Sequence, residues 1–219
     1  MEIILALDFD GTLYRIEEHD SEEMLFSVIA ETPEEKALMD RTIAELRAGG
    51  DPLGFELVLR DMLIGKPLSS ISKAVDKIMP LTDMKEIEII RKLASRKNVH
   101  LHVVSCGTDM LVSEFLERVG LLEFTEGIHA KELLHDDRTF INFIWHIRGP
   151  EDKRKAVKAL RGMYDEPYLI AVGDGFTDGP MLSEADMGFL IEREGSLHHD
   201  VDAAVITSYD ELERFLDSL

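Results

Sequence analysis

The chain has 219 residues, 45% of them hydrophobic and 31% charged, enough to bury the core of one or two domains without disulfides or a structural metal. Its 24 lysines and arginines face 44 aspartates and glutamates, and the formal charge of −20 argues against a nucleic-acid partner. A single cysteine, Cys106, excludes a disulfide framework and a cysteine-rich zinc site. The first residues have no cationic leader pattern and no apolar run approaches the ~18 residues of a membrane span, so a soluble, cytoplasmic protein with no membrane partner is expected.

The first predicted element is a buried strand, Ile3 to Leu7, ending at Asp8. From about Tyr14 to Thr82 the pattern is helical throughout. Asp20 caps a first helix, and Thr32-Pro33-Glu34-Glu35 is a capping box that opens a second, running to Gly49-Gly50. Asp51-Pro52 starts a third, and Ser69 to Met79 forms a fourth, stopped by Pro80. A helix with Met84, Ile87, Ile90 and Leu93 on one face follows. A second strand, Val99 to Val104, alternates at its start, which places that start near a sheet end or edge. Next come a helix over Met110 to Val119, a small β-excursion between Thr125 and His146 that includes a core Trp145, and a helix marked by Val157, Leu160 and Met163. A third strand, Tyr168 to Val172, ends at Gly173-Asp174. Strands alternating with helices predict an α/β fold: a Rossmann-like, doubly wound parallel sheet with a small all-helical domain inserted after its first strand.

Chemistry concentrates where these strands end. Asp8 and Asp10, two apart at a strand end, point the same way, and like charges that close call for a cation or a proton between them. Asp174 and Asp178 follow the third strand across a glycine-bracketed turn. In a parallel sheet these ends meet in one crevice, and four carboxylates there suit a hard divalent cation, Mg²⁺ before Zn²⁺. Ser105-Cys106-Gly107-Thr108 adds a hydroxyl and a run of backbone N–H groups fit for an anion. Lys153, with Lys155 as its competitor, brings an ammonium to the same mouth. Cys106 has no histidine to activate it and serves through its backbone, while His198-His199-Asp200 reads as a solvated loop.

Asp8-Phe9-Asp10-Gly11-Thr12, the apolar run into Ser105-Cys106-Gly107, Lys153, and Gly173-Asp174-Gly175-Phe176-Thr177-Asp178 stand in the order of the four motifs of the haloacid dehalogenase superfamily, which the chain resembles along nearly its whole length. The resemblance implies a catalytic core of residues 1–13 and 83–219 and a helical cap of residues 14–82. It implies that Asp8 is the nucleophile that forms an aspartyl-phosphate and that Asp10 is the general acid and base. Ser105, Cys106, Gly107 and Lys153 would bind the phosphoryl group. Asp8, the backbone carbonyl of Asp10 and Asp174 would bind Mg²⁺, supported by Asp178. Dehalogenating members lack the second acid, so Asp10 selects phosphoryl transfer. A Mg²⁺-dependent phosphatase of a small-molecule phosphomonoester is the expectation.

Within the superfamily the chain looks closest to phosphoserine-phosphatase-like members, through Val104-Ser105-Cys106-Gly107 and the form of its last motif. Glu17 matches the spacing of their cap glutamate, and Tyr14 and Arg15 beside it are the expected cap-side specificity residues. Their cap arginine, however, aligns with Met62, with Arg60 as a substitute only in a shifted helix register, so phosphoserine is expected to be a poor substrate. The rival readings are a phosphoserine-specific phosphatase and a non-catalytic, phospho-accepting regulatory domain.

Overall fold

The computed structural model describes residues 1–193 and 201–219, so His198-His199-Asp200 lies outside the described residues. A seven-stranded sheet runs in the order β4-β3-β2-β1-β5-β6-β7. Its centre is β1 (Ile3–Leu7), paired in parallel with β2 (Val99–Thr108) on one side and β5 (Tyr168–Gly173) on the other. The strand order reverses at β1, so the loops after β1, β2 and β5 open into one crevice at the carboxyl edge of the sheet.

Side chains alternate across β1 and thereby divide the core. Ile3, Leu5 and Leu7 join one apolar cluster with residues of α5 (Met84–Ala94), α6 (Asp109–Arg118) and α9 (Tyr209–Asp217). Ile4 and Ala6 join a second with α7 (Pro150–Leu160) and α8 (Gly179–Glu184) on the opposite face. Helices on both faces of a mostly parallel sheet are the doubly wound arrangement expected from the alternating pattern.

Several local expectations shift. β2 is an interior strand, so of the two expectations for its alternating start the strand end holds, with His100 and His102 near it, and the sheet edge does not. Met84 and Met163 are 47% and 63% exposed, because Met84 opens α5 and Met163 lies in the 3-10 turn after α7, both beyond the buried stripe. The β-excursion is a hairpin of β3 (Thr125–His135), parallel to β2, and β4 (Phe140–Ile144), antiparallel to β3, with Trp145 packed half-buried on the core. β6 (Met187–Ile191) and β7 (Ala204–Ile206) extend the other side of the sheet. No helix of the described residues is long and apolar enough to cross a membrane.

Between β1 and α5 lie α1 (Ser21–Ile29), α2 (Pro33–Arg47), α3 (Pro52–Leu63) and α4 (Ser69–Ile78). Asp20 caps α1 by accepting from the Glu23 amide at 2.8 Å, and Asp51 caps α3. At α2 both halves of the capping box are made: Thr32 accepts from the Glu35 amide and Glu35 from the Thr32 amide. α1 packs on α4, α4 packs on α6, and Phe26, Phe55, Leu59 and Ile71 share the cluster that covers the first face of the sheet. The segment before α4 is also stitched to the hairpin. The amides of Gly65 and Leu68 donate to the carbonyls of Phe140 and Arg138, and the Phe140 amide donates to Lys66.

Candidate active site

β1, β2, β5 and α7 each deliver one part of the site. Asp8 leaves β1 with its amide still bonded to Val172 of β5 at 2.9 Å, so the carboxylate stands at the carboxyl edge of the sheet. The Lys153 ammonium, 2% exposed, donates to Asp8 Oδ1 at 2.5 Å and to Asp178 Oδ1 at 2.7 Å. Asp178 Oδ2 accepts the amides of Asp174 and Gly175 at 3.1 Å each, which folds the turn after β5 around it. One carboxylate oxygen from each of Asp8, Asp174 and Asp178 lies within 4.8 Å of the others.

Two glycines are required by this closeness. Gly11 has φ +71°, and a Cβ on it would fall 1.9 Å from Asp174 Oδ2. A Cβ on Gly173 would fall 2.4 Å from the Asp178 side chain.

The electrostatics are one-sided. Burial and the neighbouring Asp178 hold Asp8 well above the ordinary carboxylate range despite Lys153. Burial, with Asp178 and Asp10, raises Asp174 to about 7. Burial alone would lower Lys153, yet Asp178 and Asp8 hold it well above its usual value, so it stays charged. Three carboxylates around one ammonium leave surplus negative charge on oxygen donors only. That is the environment a hard cation such as Mg²⁺ completes.

Asp10 is held separately. Its carboxylate accepts from the Ser21 amide at 2.7 Å, from the Ser21 hydroxyl at 3.1 Å and from the buried Tyr14 hydroxyl. Ser21 is the first residue of α1, so the inserted helices aim the second carboxylate. At the end of β2, Ser105 is fully buried and its Oγ accepts from the Gly107 amide at 2.9 Å. A Cβ on Gly107 would sit 3.2 Å from both Ser105 Oγ and Ser21 Oγ, so this irregular end of β2 passes close beneath α1. Burial raises the Cys106 thiol to about 12, which keeps it protonated and unreactive.

Asp8, Asp10, Ser105, Cys106, Gly107, Lys153, Asp174 and Asp178 therefore gather at one edge of the sheet. Lys155 instead lies outside, paired with Asp152 at 2.9 Å. Of the three cap-side residues, Tyr14 touches Asp10, whereas Arg15 and Glu17 are exposed, Glu17 lining a surface depression with Lys77 and Leu81. Arg60 pairs with Asp61, and Met62 packs half-buried on the core.

Two supports escaped the sequence reading. Ser21 looks like an ordinary first-turn serine, although its place behind the Asp20 cap was a signal. Arg193, just past β6, donates to the carbonyls of Gly11 and Thr12 at 3.1 and 2.8 Å and pairs with Glu86, bracing the loop behind Asp8 and Asp10. Nothing in its local pattern announces that.

Solved proteins share this fold. A hydrolase from Salmonella enterica serovar Typhi superposes with a TM-score of 0.72 at 18% identity, covering 94% of this chain and 67% of that one. A substrate-bound phosphoserine phosphatase superposes at 0.68, also at 18% identity, covering 98% of each chain. In sequence, 83 residues are 43% identical to the glucosyl-3-phosphoglycerate/mannosyl-3-phosphoglycerate phosphatase of Methanococcoides burtonii, over 33% of this chain and 30% of the relative. A further 69-residue match, 39% identical, is to a manganese-exporting P-type ATPase of Mycobacterium tuberculosis, over 31% of this chain and 9% of the transporter. These stretches span less than a third of either relative. The family model for haloacid dehalogenase-like hydrolases matches residues 5–183, and the chain belongs to that family.

Proposed function

We propose that the protein is a Mg²⁺-dependent phosphatase that hydrolyses a small-molecule phosphomonoester in the cytoplasm through an aspartyl-phosphate on Asp8. The observation that carries this reading is Lys153 held between Asp8 and Asp178, with Asp174 in reach and Asp10 poised on a separate support. The phosphoserine phosphatase and sugar-phosphoglycerate phosphatase among the similar proteins support the reaction class.

The ester's phosphoryl group would lie between Asp8, Ser105, the amides of Cys106 and Gly107, and Lys153. Asp8 attacks phosphorus, and Asp10 gives its proton to the departing oxygen as the phosphorus–oxygen bond breaks. Asp10 then takes a proton from the water that attacks the aspartyl-phosphate, releasing phosphate and restoring Asp8. Bound at Asp8, Asp174 and the Asp10 carbonyl, with Asp178 behind them, Mg²⁺ would offset the repulsion between carboxylate and phosphate. Residues 14–82 act as a cap over a core of residues 1–13 and 83–219, with Tyr14 positioning Asp10 and Arg15 and Glu17 at the outer rim. This arrangement of a general acid that also activates water favours turnover over a stored phosphoryl group.

The test is phosphate release from p-nitrophenyl phosphate. Activity should disappear in EDTA, return with Mg²⁺, and be lost in freshly purified Asp8→Asn that remains folded. Undiminished activity in chelator, or in Asp8→Asn, would overturn the assignment.

A further inference from the structure

Apart from the carboxylate crevice, two histidines of neighbouring strands turn toward each other. His102 of β2 is the register partner of Ala6 and so stands on the face of the sheet that α7 covers. Its Nδ1 lies 3.3 Å from Nε2 of His129 on β3. Hydrogen bonding fixes the state of the first ring. The Tyr164 hydroxyl gives its only hydrogen to Glu126 Oε2 at 2.7 Å, so its oxygen must accept from His102 Nε2 at 2.8 Å. In the neutral ring Nδ1 then keeps a lone pair, and that lone pair faces His129. A Cβ on Gly127 would fall 2.8 Å from His102 Nδ1 and 3.0 Å from His129 Nε2, so glycine keeps side-chain atoms away from both nitrogens.

The pair can be reached from solvent. β4 pairs with β3 only from Glu132 to His135, so the stretch before it has no strand on its outer side among the described residues, and Gly127 and His129 there are half-buried. His129 also lines a surface cavity of about 430 Å³ with His146, Asp152 and Lys155. The separation of 3.3 Å is longer than the ~2.9–3.0 Å usual for an N–H donor. It is the spacing of two nitrogens on one tetrahedral ion, since Zn–N bonds of about 2.0–2.1 Å at the tetrahedral angle set them about 3.3 Å apart. We infer that His102 Nδ1 and His129 Nε2 form a second metal site, which takes a borderline dication such as Zn²⁺ with water in the remaining positions. Imidazole nitrogen favours such an ion over Mg²⁺, the reverse of the oxygen-only crevice. The Tyr164–Glu126 chain behind His102 is the support that orients a metal-binding histidine and makes it a better donor. Binding moves the His129 proton from Nε2 to Nδ1, so both rings stay neutral, and the ion ties β2 to β3.

The test uses Co²⁺, whose tetrahedral complexes absorb visible light far more strongly than its six-coordinate ones. Full-length protein freed of metal by chelation is titrated with Co²⁺ and followed by visible absorption. One equivalent should bring up the tetrahedral band in the wild-type protein, and Zn²⁺ should remove it by displacement. Asp174→Asn, altered in the carboxylate crevice, should keep the band. His129→Ala should lose it or need at least tenfold more Co²⁺ to show it. Gly127→Ala retains both imidazoles but crowds them, and should weaken the site by tenfold or more; it decides the matter should His129→Ala fail to fold. Absence of the tetrahedral band in the wild-type protein overturns the site, as does a band in folded His129→Ala at a Co²⁺ concentration within twofold of wild type. A band lost in Asp174→Asn and kept in His129→Ala assigns the ion to the crevice and overturns the histidine site as well.

Discussion

At Gly11 the backbone is left-handed and the space a Cβ would fill is already taken by Asp174. Gly11→Ala should fold, because the left-handed conformation costs an alanine only roughly 1–2 kcal/mol. Its methyl must push Asp174 away from Asp8, so p-nitrophenyl phosphate hydrolysis should fall on the order of 10²-fold, as for other small displacements of catalytic groups. Circular dichroism and steady-state kinetics check both halves, and wild-type activity in folded Gly11→Ala would refute the close packing. At this scale the sequence was informative wherever a residue's role depends on its neighbours along the chain. The spacing of Asp8, Asp10, Asp174 and Asp178 placed them at strand ends, and a parallel sheet gathers Asp8, Asp174 and Asp178, whereas the Asp10 carboxylate turns to Ser21 and Tyr14 instead of joining them. Lys131, buried between Glu22 and Glu56, was illegible for the opposite reason. It stands in a half-apolar strand, and its partners Glu22 and Glu56 lie on helices 109 and 75 residues earlier.

Among the elements, α2 shows how local chemistry fixes a helix without reference to function. Thr32 and Glu35 exchange hydrogen bonds at its amino end, and Glu35 also accepts from the Glu31 amide and pairs with Lys66. These contacts hold the Glu35 carboxyl down at about 2. Thr32→Ala removes the acceptor for the Glu35 amide and should cost about 1 kcal/mol in urea-induced unfolding, with kcat and KM unchanged. A stability equal to wild type would mean that water replaces the cap at no cost. Caps of this kind made three of the four inserted helices readable, since Asp20, Thr32-Pro33 and Asp51-Pro52 each carry their own start signal, whereas α4 has no side-chain cap and was marked by its stop at Pro80. β6 and β7 carry none. The first is a five-residue apolar run after a short helix, and the second has three residues held in place by pairing with the first. Strands that exist because a neighbour exists are not written locally.

For the molecule as a whole, the amino end of β2 carries a titratable network remote from the carboxylate crevice. His102, 1% exposed, meets the Tyr164 hydroxyl at 2.8 Å and His129 at 3.3 Å, with Glu126, His100 and Glu2 linked beyond them. Burial, with the charges of His129 and His100, lowers His102 to about 4, and burial lowers His129 as well. A depressed histidine binds its proton more readily in the unfolded chain, so stability falls as pH drops from the unfolded value near ~6.5 toward the folded one. His100 works in the opposite sense, since burial would lower it but Glu2 and Glu126 raise it, and it stabilises the fold more at lower pH. His102→Gln isolates the first contribution. Between pH 7 and 4.5 the wild-type protein should lose on the order of 2 kcal/mol more unfolding free energy than the variant. Parallel pH dependences would remove His102 from the account.

The inserted helices look like a separable module in the chain, because they begin and end within one connection of the sheet. Their attachment says otherwise. Besides the two chain crossings, the backbone bonds of Gly65, Lys66 and Leu68 to the β4 hairpin make a third anchor, and Glu22 and Glu56 are the counter-charges of Lys131. Replacing residues 14–82 by a short glycine-serine turn would therefore strip an ammonium of its partners, bare the edge of the hairpin and open the apolar cluster shared with α6. Such a minimal core should aggregate or remain unfolded, visible by size-exclusion chromatography and circular dichroism. The insertion is thus part of the fold's foundation: single residues within it can be exchanged, but the whole of it should not lift out.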